Sequence, residues 1–256
     1  SEFGFFIEGN YVDWLQYQYH VNRYLFASNF VIGKTVLDVA CGTGYGSMYL
    51  AKEGANLVVA GDLSSEALSY AKVNYKSKSG PEFIRLDATH LPFVDDSFDC
   101  VITFETIEHL KEYERFIKEC RRILKIDGIL ISSTPNKRTI SPIFKQAEWV
   151  MHIKEFYPEE LYLLFKKYFS KVEIFGQHFL GKKGRVIWLL RSTFGGLLKR
   201  ISSRICTRIS SIIFPLEHRA VNFSLKDIKT LAEEKYAVRQ ADLLSATRNI
   251  VIVARH

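Results

Sequence analysis

The sequence predicts an α/β protein built on one doubly wound, mostly parallel sheet, and three observations carry that reading. Short runs of apolar and β-branched residues alternate with helical segments along most of the chain. The first such run passes into a helix through a glycine-rich turn, Gly42-Thr43-Gly44-Tyr45-Gly46. The chain has 256 residues, 47% hydrophobic and 25% charged, which suits one large domain with a real core and excludes collagen-like, low-complexity and disordered classes.

Taken in order, residues 1–30 are aromatic-rich (Phe3, Phe5, Phe6, Tyr11, Trp14, Tyr17, Tyr19, Tyr24 and Phe26) and read as one or two helices leading into the core. Thr35–Val39 is a strand ending at the glycine turn, and Tyr45–Glu53 is a helix. Leu57–Gly61 is a strand, and Ser64 caps a helix that runs to Tyr75. Glu82–Leu86 and Phe98–Phe104 are strands, the second with the Cys-Val-Ile-Thr-Phe character of a buried one. Glu112–Leu124 is a helix stopped by Asp127-Gly128, followed by a strand at Ile129–Ser133 that ends at Pro135. Pro158–Tyr168 is a helix with proline in its first turn. Lys171–Phe175 and Asn249–Ala254 are the last strands, bringing the number to seven.

The last two strands are separated by a segment, 178–247, of different character. The net charge of the chain is +7, yet His178 to Ala220 alone holds nine basic residues against Glu217, so the rest of the chain is close to neutral. Apolar positions 186, 190, 194, 197, 201, 205, 209 and 212 form a helical stripe, with Arg200, Arg204 and Arg208 in a row beside it and a bend expected at Gly195-Gly196. This helical basic insertion reads as a lid over a pocket, as a membrane-surface contact through 185–214, or as an RNA-backbone surface; few interleaved aromatics make nucleic acid the weaker choice. The longest unbroken apolar stretch is about five residues, Val186 to Leu190, far short of the roughly 18–20 of a membrane-spanning helix. The opening Ser-Glu-Phe-Gly has neither a basic start nor a small-residue cleavage site. Cys41, Cys100, Cys120 and Cys206 fit no metal-type spacing. A cytoplasmic location, with contact to a membrane surface through the insertion, is expected.

The chemistry concentrates in Asp38-Val39-Ala40-Cys41-Gly42-Thr43-Gly44-Tyr45-Gly46-Ser47. Asp38 closes the strand just before the glycines, so a pyrophosphate on that turn would meet a carboxylate, whereas a ligand carrying an ammonium and a sulfonium would be welcome. The third glycine of a nicotinamide-dinucleotide fingerprint would fall at Ser47. Asp62 ends the next strand, where a carboxylate accepts hydrogen bonds from both hydroxyls of a ribose. Leu63 can pack on an adenine face, and Asp87-Ala88 follows the third strand, where a carboxylate can take an adenine amino proton.

These strings, with GDLSSEAL, RLDATHLPF, SFDCVITFETIEHL, ECRRILKIDGILISSTPNK and more weakly HIKEFYPEEL, resemble the class I S-adenosylmethionine-dependent methyltransferases over about residues 20–177. The resemblance implies one Rossmann-like domain whose last strand, NIVIVAR, runs antiparallel; the domain is read across 1–256, with the helical lead-in at 1–30 and the helical basic insertion at 178–247. It implies S-adenosylmethionine as cofactor. Asp38 would then order the methionine end, Cys41, Gly42 and Gly44 would form the loop beneath it, Asp62 would hold the ribose, and Leu63, Asp87 and Ala88 the adenine. The string His20, Arg23, Tyr24, Phe26, Ala27 resembles a lead-in of this group and equally suits core packing of an N-terminal helix.

On the acceptor side, Glu105-Thr106-Ile107-Glu108-His109 lies at the carboxyl end of the fourth strand, where open α/β sheets bind ligands. Two carboxylates and an imidazole there can act as general bases or hold a divalent cation. The string is similar to one in O-methyltransferases of ubiquinone biosynthesis and in small-RNA 3′-end 2′-O-methyltransferases, which use a metal. By that resemblance Glu105, Glu108, His109 and His152 would form the site, although the aromatic, acidic stretch of the RNA enzymes is missing around His152. Three readings stay open: a metal site, His109 with Glu108 as metal-free catalytic residues, or pocket residues only, with Glu105 helping to hold the methionine amino group. Pro135-Asn136-Lys137 reads as a turn bordering the pocket. The acceptor expected is an oxygen of a small molecule, a sugar or a lipid-linked glycan. RNA ribose methylation and a non-catalytic cofactor-binding module are the alternatives.

Overall fold

The computed structural model describes residues 11–75, 77–140, 151–178, 238–240 and 247–256. The basic stripe of 186–212 and its arginines therefore lie outside the described residues, as do Cys206 and the first ten positions. In chain order the elements are α1 (Tyr11–Ser28), β1 (Thr35–Val39), α2 (Tyr45–Lys52), β2 (Leu57–Asp62), α3 (Ser65–Asn74), β3 (Glu82–Arg85), β4 (Phe98–Phe104), α4 (Tyr113–Ile123), β5 (Leu124–Pro135), α5 (Lys137–Ile140), α6 (Pro158–Lys166), β6 (Lys171–His178), β7 (Val238–Gln240) and β8 (Thr247–Arg255). A single 3-10 turn covers Ile107–His109.

The sheet order is β3-β2-β1-β4-β5-β8-β6-β7. Strands β3, β2, β1, β4 and β5 pair in parallel, and β8 runs antiparallel between β5 and β6. The expected seven strands and the antiparallel last strand are present. A three-residue edge strand, β7, lengthens the sheet inside the segment read as a helical insertion. It is too short for a period-two pattern to mark it in sequence.

The chain winds from β1 out to β3 and then returns to the other side of β1 as β4. That reversal opens a crevice at the carboxyl ends of β1 and β4, the place where such sheets bind ligands. The central strands are buried on both faces because helices cover both. Leu37, Val39, Val101 and Leu130 face α4 and α6, against Phe116, Ile117, Ile123, Leu161 and Phe165. Val36, Cys100, Ile102 and Ile131 face α1 and α2, against Val21, Tyr24, Ala27, Tyr49 and Leu50. Each such apolar side chain contributes about 1.5–3 kcal/mol when fully buried.

One boundary meets expectation and one differs. Ser64 caps α3 as predicted, its Oγ accepting from the Ala67 N–H. Helix α4, however, stops at Ile123, well before Asp127-Gly128. Leu124 is fully buried and already pairs with Phe98, so the strand starts there and takes Asp127-Gly128 into a register shift opposite Phe98 and Cys100. Tertiary pairing of one buried leucine outweighs the local stop signal. Among the described residues, no helix is long and apolar enough to cross a membrane.

Candidate active site

The period of two in β1 puts Asp38 on the same face as Val36, toward α1 and α2. There it is fully buried and accepts hydrogen bonds from Ser47 Oγ at 2.6 Å and from the Tyr24 hydroxyl at 3.1 and 3.2 Å. Burial pushes its pKa up to about 7, although both hydrogen bonds pull the other way. Tyr24 reaches the carboxylate only because Gly46 has no side chain: a Cβ there would lie 2.1 Å from the tyrosine ring. The residue that departs from the dinucleotide fingerprint, Ser47, is thus a donor that holds Asp38.

The turn after β1 is built on positive φ. Ala40, Gly42 and Gly44 have φ of 59°, 55° and 81°. A Cβ on Gly42 would meet nothing within 4 Å, so the backbone there faces open space. At Gly44 the constraint is different: a Cβ would come within 2.6 Å of the Phe83 ring and 2.9 Å of Ala71 Cβ. Asp62 stands opposite. Its Oδ2 accepts from the Gly42 N–H and its Oδ1 from the Ser64 N–H, both at 2.8 Å. Each oxygen keeps a further lone-pair site for a ligand hydroxyl. Leu63, beside it, is 63% exposed. Asp87 is exposed and its pKa is lowered, first by the Thr89 backbone N–H and then by the Thr89 hydroxyl. Ala88 packs against the core at its edge. Cys41 is buried, and burial raises its thiol pKa far above the ordinary value, so it is an inert part of the loop.

Glu105, directly after β4, is another non-glycine residue in the left-handed region, with φ of 53°. Such a backbone costs about 1–3 kcal/mol and persists where surrounding contacts impose it. Here Glu105 Oε1 accepts from Ser133 Oγ and Oε2 from Asn249 Nδ2, both at 2.8 Å, so β5 and β8 fix the carboxylate. Arg23 Nη2 of α1 lies 3.9 Å away.

The remaining acceptor-side residues form a separate group. Glu108, His109 and His152 each offer a ligand atom, and these atoms lie within 4.8 Å of one another. Residues 151–154 reach the 3-10 turn because the Ile153 and Lys154 N–H groups both donate to the Glu108 carbonyl. His109 Nδ1 donates to the Met151 carbonyl at 2.9 Å. His152 Nδ1 donates to the buried carboxylate of Glu155 at 3.1 Å, and the two imidazole centroids are 5.0 Å apart. Glu108 is fully buried; Thr134 donates to its Oε2, and its Oε1 has no hydrogen-bond partner. Burial, followed by the charge of Glu105, drives its pKa well above the carboxylate range. His109 is pushed the opposite way, its pKa lowered chiefly by burial, so its imidazole is neutral at neutral pH.

Residues 37–132, which run from within β1 into β5 and include the glycine turn, match the methyltransferase domain family. Over 128 residues the chain is 35% identical to a probable S-adenosylmethionine-dependent methyltransferase of Mycobacterium tuberculosis, covering 50% of this chain and 45% of that protein. It is 32% identical over 166 residues to a demethylmenaquinone methyltransferase of Staphylococcus haemolyticus, covering 64% of this chain and 62% of the relative. The chain thus spans less than two thirds of the length of these curated relatives. Among solved structures, an S-adenosylmethionine-dependent methyltransferase of Thermotoga maritima shares the fold, with a TM-score of 0.57 and 19% identity over 96% of this chain and 95% of that one.

These likenesses identify residues 37–132 as an S-adenosylmethionine-dependent methyltransferase domain.

The methyltransferase brings Asp38, Cys41, Gly42, Gly44, Asp62 and Leu63 together around the turn after β1, with Asp87 and Ala88 beyond β3. Of the four residues nominated for a metal, it brings together Glu108, His109 and His152. Glu105 stands apart, its two oxygens taken by Ser133 and Asn249. Asn136 makes the expected turn and also ties it down: its Nδ2 donates to the Thr247 carbonyl of β8. Sequence reasoning missed Ser47 as the partner of Asp38, and Glu155 as the partner of His152. The spacing of Glu155, three residues after the histidine on the same loop, was the signal available for it.

Proposed function

We propose that this methyltransferase moves a methyl group from S-adenosylmethionine to an oxygen of a small-molecule acceptor. The cofactor supplies an electrophilic methyl on a positively charged sulfur. The residues fit it: open space above Gly42, an exposed Leu63 beside the Asp62 carboxylate, and a buried Asp38 able to face an ammonium. In this reading Asp38, Glu105 and the Cys41-to-Gly44 turn hold the methionine end, Asp62 the ribose, and Leu63, Asp87 and Ala88 the adenine.

The fixed tautomer of His109 carries the proposal of an oxygen acceptor. With Nδ1–H given to Met151, Nε2 is left as a proton acceptor on a neutral imidazole at the ligand-binding end of the sheet. A hydroxyl losing its proton to Nε2 becomes the better nucleophile as the methyl arrives. The demethylmenaquinone named for some relatives supports a small molecule. The basic segment read from sequence supports a sugar or a lipid-linked glycan held near a membrane surface.

One observation favours a cation at the same place. A carboxylate and two imidazoles suit a first-row divalent metal, and both imidazoles have the outer hydrogen-bond partner that metal-bound histidines use to fix their orientation. Glu108, His109 and His152 would hold it, and it would lower the pKa of an acceptor hydroxyl.

The deciding test is incubation of the protein with methyl-labelled S-adenosylmethionine and fractionated cell extract. Label is expected in the lipid or small-molecule fraction. Label in RNA or protein alone would overturn the acceptor class, and no label despite tight cofactor binding would favour a non-catalytic module.

Asp38 adds a pH dependence. Its pKa rises from 3.8 to about 7 in the fold, so in the cofactor-free protein it removes stability as pH climbs between those values. An ammonium beside it favours the ionised form, so S-adenosylhomocysteine should bind more tightly as pH rises toward and through about 7, with a proton released on binding below that pH. Calorimetry in two buffers of different ionisation heat reads that proton directly. Binding that is independent of pH from acid to neutral would show that Asp38 does not face the ammonium.

A further inference from the structure

We propose that Glu155 is a positioning residue of the acceptor site: it fixes the ring and the tautomer of His152, so that His109 and His152 present two unprotonated Nε2 atoms beside Glu108. This deepens the acceptor reading above and rests on it. Glu155 is buried, with its carboxylate wholly out of water. Such a carboxylate is costly unless donors meet it. One donor is His152 Nδ1, 3.1 Å from Oε1. An ionised carboxylate only accepts, so a neutral His152 carries its proton on Nδ1 and keeps Nε2 unprotonated. In water a neutral imidazole prefers the opposite form, with the proton on Nε2. Left to itself, His152 would offer a donor where the site has use for an acceptor.

The same form is imposed on His109 by different means. Its Nδ1 lies 2.9 Å from the Met151 carbonyl, which can only accept. Residues 151–155 thus set both rings, one through a backbone carbonyl and one through a side chain. The backbone is tied on both sides of Glu155. The Ile153 and Lys154 N–H groups donate to the Glu108 carbonyl, and the Phe156 carbonyl accepts from the Lys137 N–H. Phe156 itself is fully buried. The carboxylate is therefore held at a fixed height against the His152 ring. The centroids of the two imidazoles are 5.0 Å apart, and a ligand atom of each lies within 4.8 Å of one on Glu108.

Two unprotonated imidazole nitrogens side by side suit a group that brings a proton or a positive charge. A hydroxyl can donate to them, and a divalent cation can be bound by them. The ether that methyl transfer to a hydroxyl produces can do neither. Both ways of using the cluster therefore need His152 in the form that Glu155 imposes. Glu155 acts through that histidine and does not itself touch the acceptor. A hydrogen bond that merely pinned the loop would be indifferent to the state of His152 Nε2, and this difference is measurable.

The test reads the ring first and the reaction second. In protein isotope-labelled at its histidine ring nitrogens, long-range proton–nitrogen spectra are recorded at about pH 8, where an ordinary histidine is neutral. His152 is expected to carry its proton on Nδ1 alone. Glu155→Gln keeps an oxygen that accepts from Nδ1 and should keep that form, whereas Glu155→Leu should move His152 toward the Nε2–H form and leave His109 unchanged. Transfer of labelled methyl from S-adenosylmethionine into the lipid or small-molecule fraction of cell extract should fall about 10- to 100-fold in Glu155→Leu. Glu155→Gln should recover most of that loss, with S-adenosylhomocysteine affinity within about twofold of the unmodified protein in both variants. A proton on His152 Nε2 in the unmodified protein would overturn the proposal, whether or not Glu155→Leu folds. So would a Glu155→Leu protein that transfers methyl at the unmodified rate, or a Glu155→Gln protein that keeps the tautomer yet is as slow as Glu155→Leu. An unmodified protein that labels neither fraction would instead overturn the acceptor reading beneath it.

Discussion

Replacing His109 by alanine is expected to lower kcat about 100- to 10,000-fold while S-adenosylhomocysteine affinity stays within about twofold. The loss is that of a positioned proton acceptor, whose Nε2 is made available by the hydrogen bond from Nδ1 to Met151. In the unmodified protein the rate should rise with pH as His109 loses its proton. The midpoint should fall below that of an ordinary histidine, because burial disfavours the imidazolium. Imidazole in solution should rescue part of the alanine variant's rate. A chelator separates the two ways the cluster can work. If a cation is held, chelation abolishes activity, manganese restores it, and His152→Ala matches His109→Ala. If His109 acts alone, activity survives chelation and His152→Ala is milder. An unchanged kcat in His109→Ala would defeat both.

Gly44→Val should be the most damaging single change in the glycine turn, costing about 2–5 kcal/mol of stability from its left-handed backbone and from overpacking against Phe83 and Ala71. For a domain of this size that corresponds to a fall in Tm of roughly 5–15 °C. Gly42→Ala is the control. It has the same backbone problem, at φ of 55°, but its Cβ meets open space, so only about 1–2 kcal/mol should be lost. Its larger effect should be on S-adenosylhomocysteine affinity, because the methyl group projects into the space assigned to the ligand. Melting curves and calorimetry on the two variants check this. If the two melt alike, Phe83 and Ala71 are not what Gly44 makes room for.

Residue pattern alone determined a good deal. β1 and β4 were legible to the residue, because both are short apolar runs buried on both faces and bounded by turn residues. The carboxylates after β1 and β2 and the glycines between were legible for the same reason: strand ends are easy to locate, and in this topology a strand end is a place in the crevice. Ser64 at the start of α3 was legible because capping is a contact three residues long.

What tertiary structure decided is of another kind. Nothing in the order of residues says that Ser47 and Tyr24 converge on Asp38, that Ser133 and Asn249 draw Glu105 away from Glu108, or that Met151 sets the tautomer of His109 from 42 residues further on. Nor does it say that Gly44 is held small by Phe83 rather than by a ligand. These contacts join elements that are neighbours only after the sheet has been wound. A hydrogen bond between two elements leaves no period in either one, so periodicity, the main signal in a single sequence, does not report it. The same holds for Arg23: its string read as a lead-in of the family or as core packing, and that its Nε and Nη2 lack a hydrogen-bond partner shows only when α1 has been laid across the end of β4.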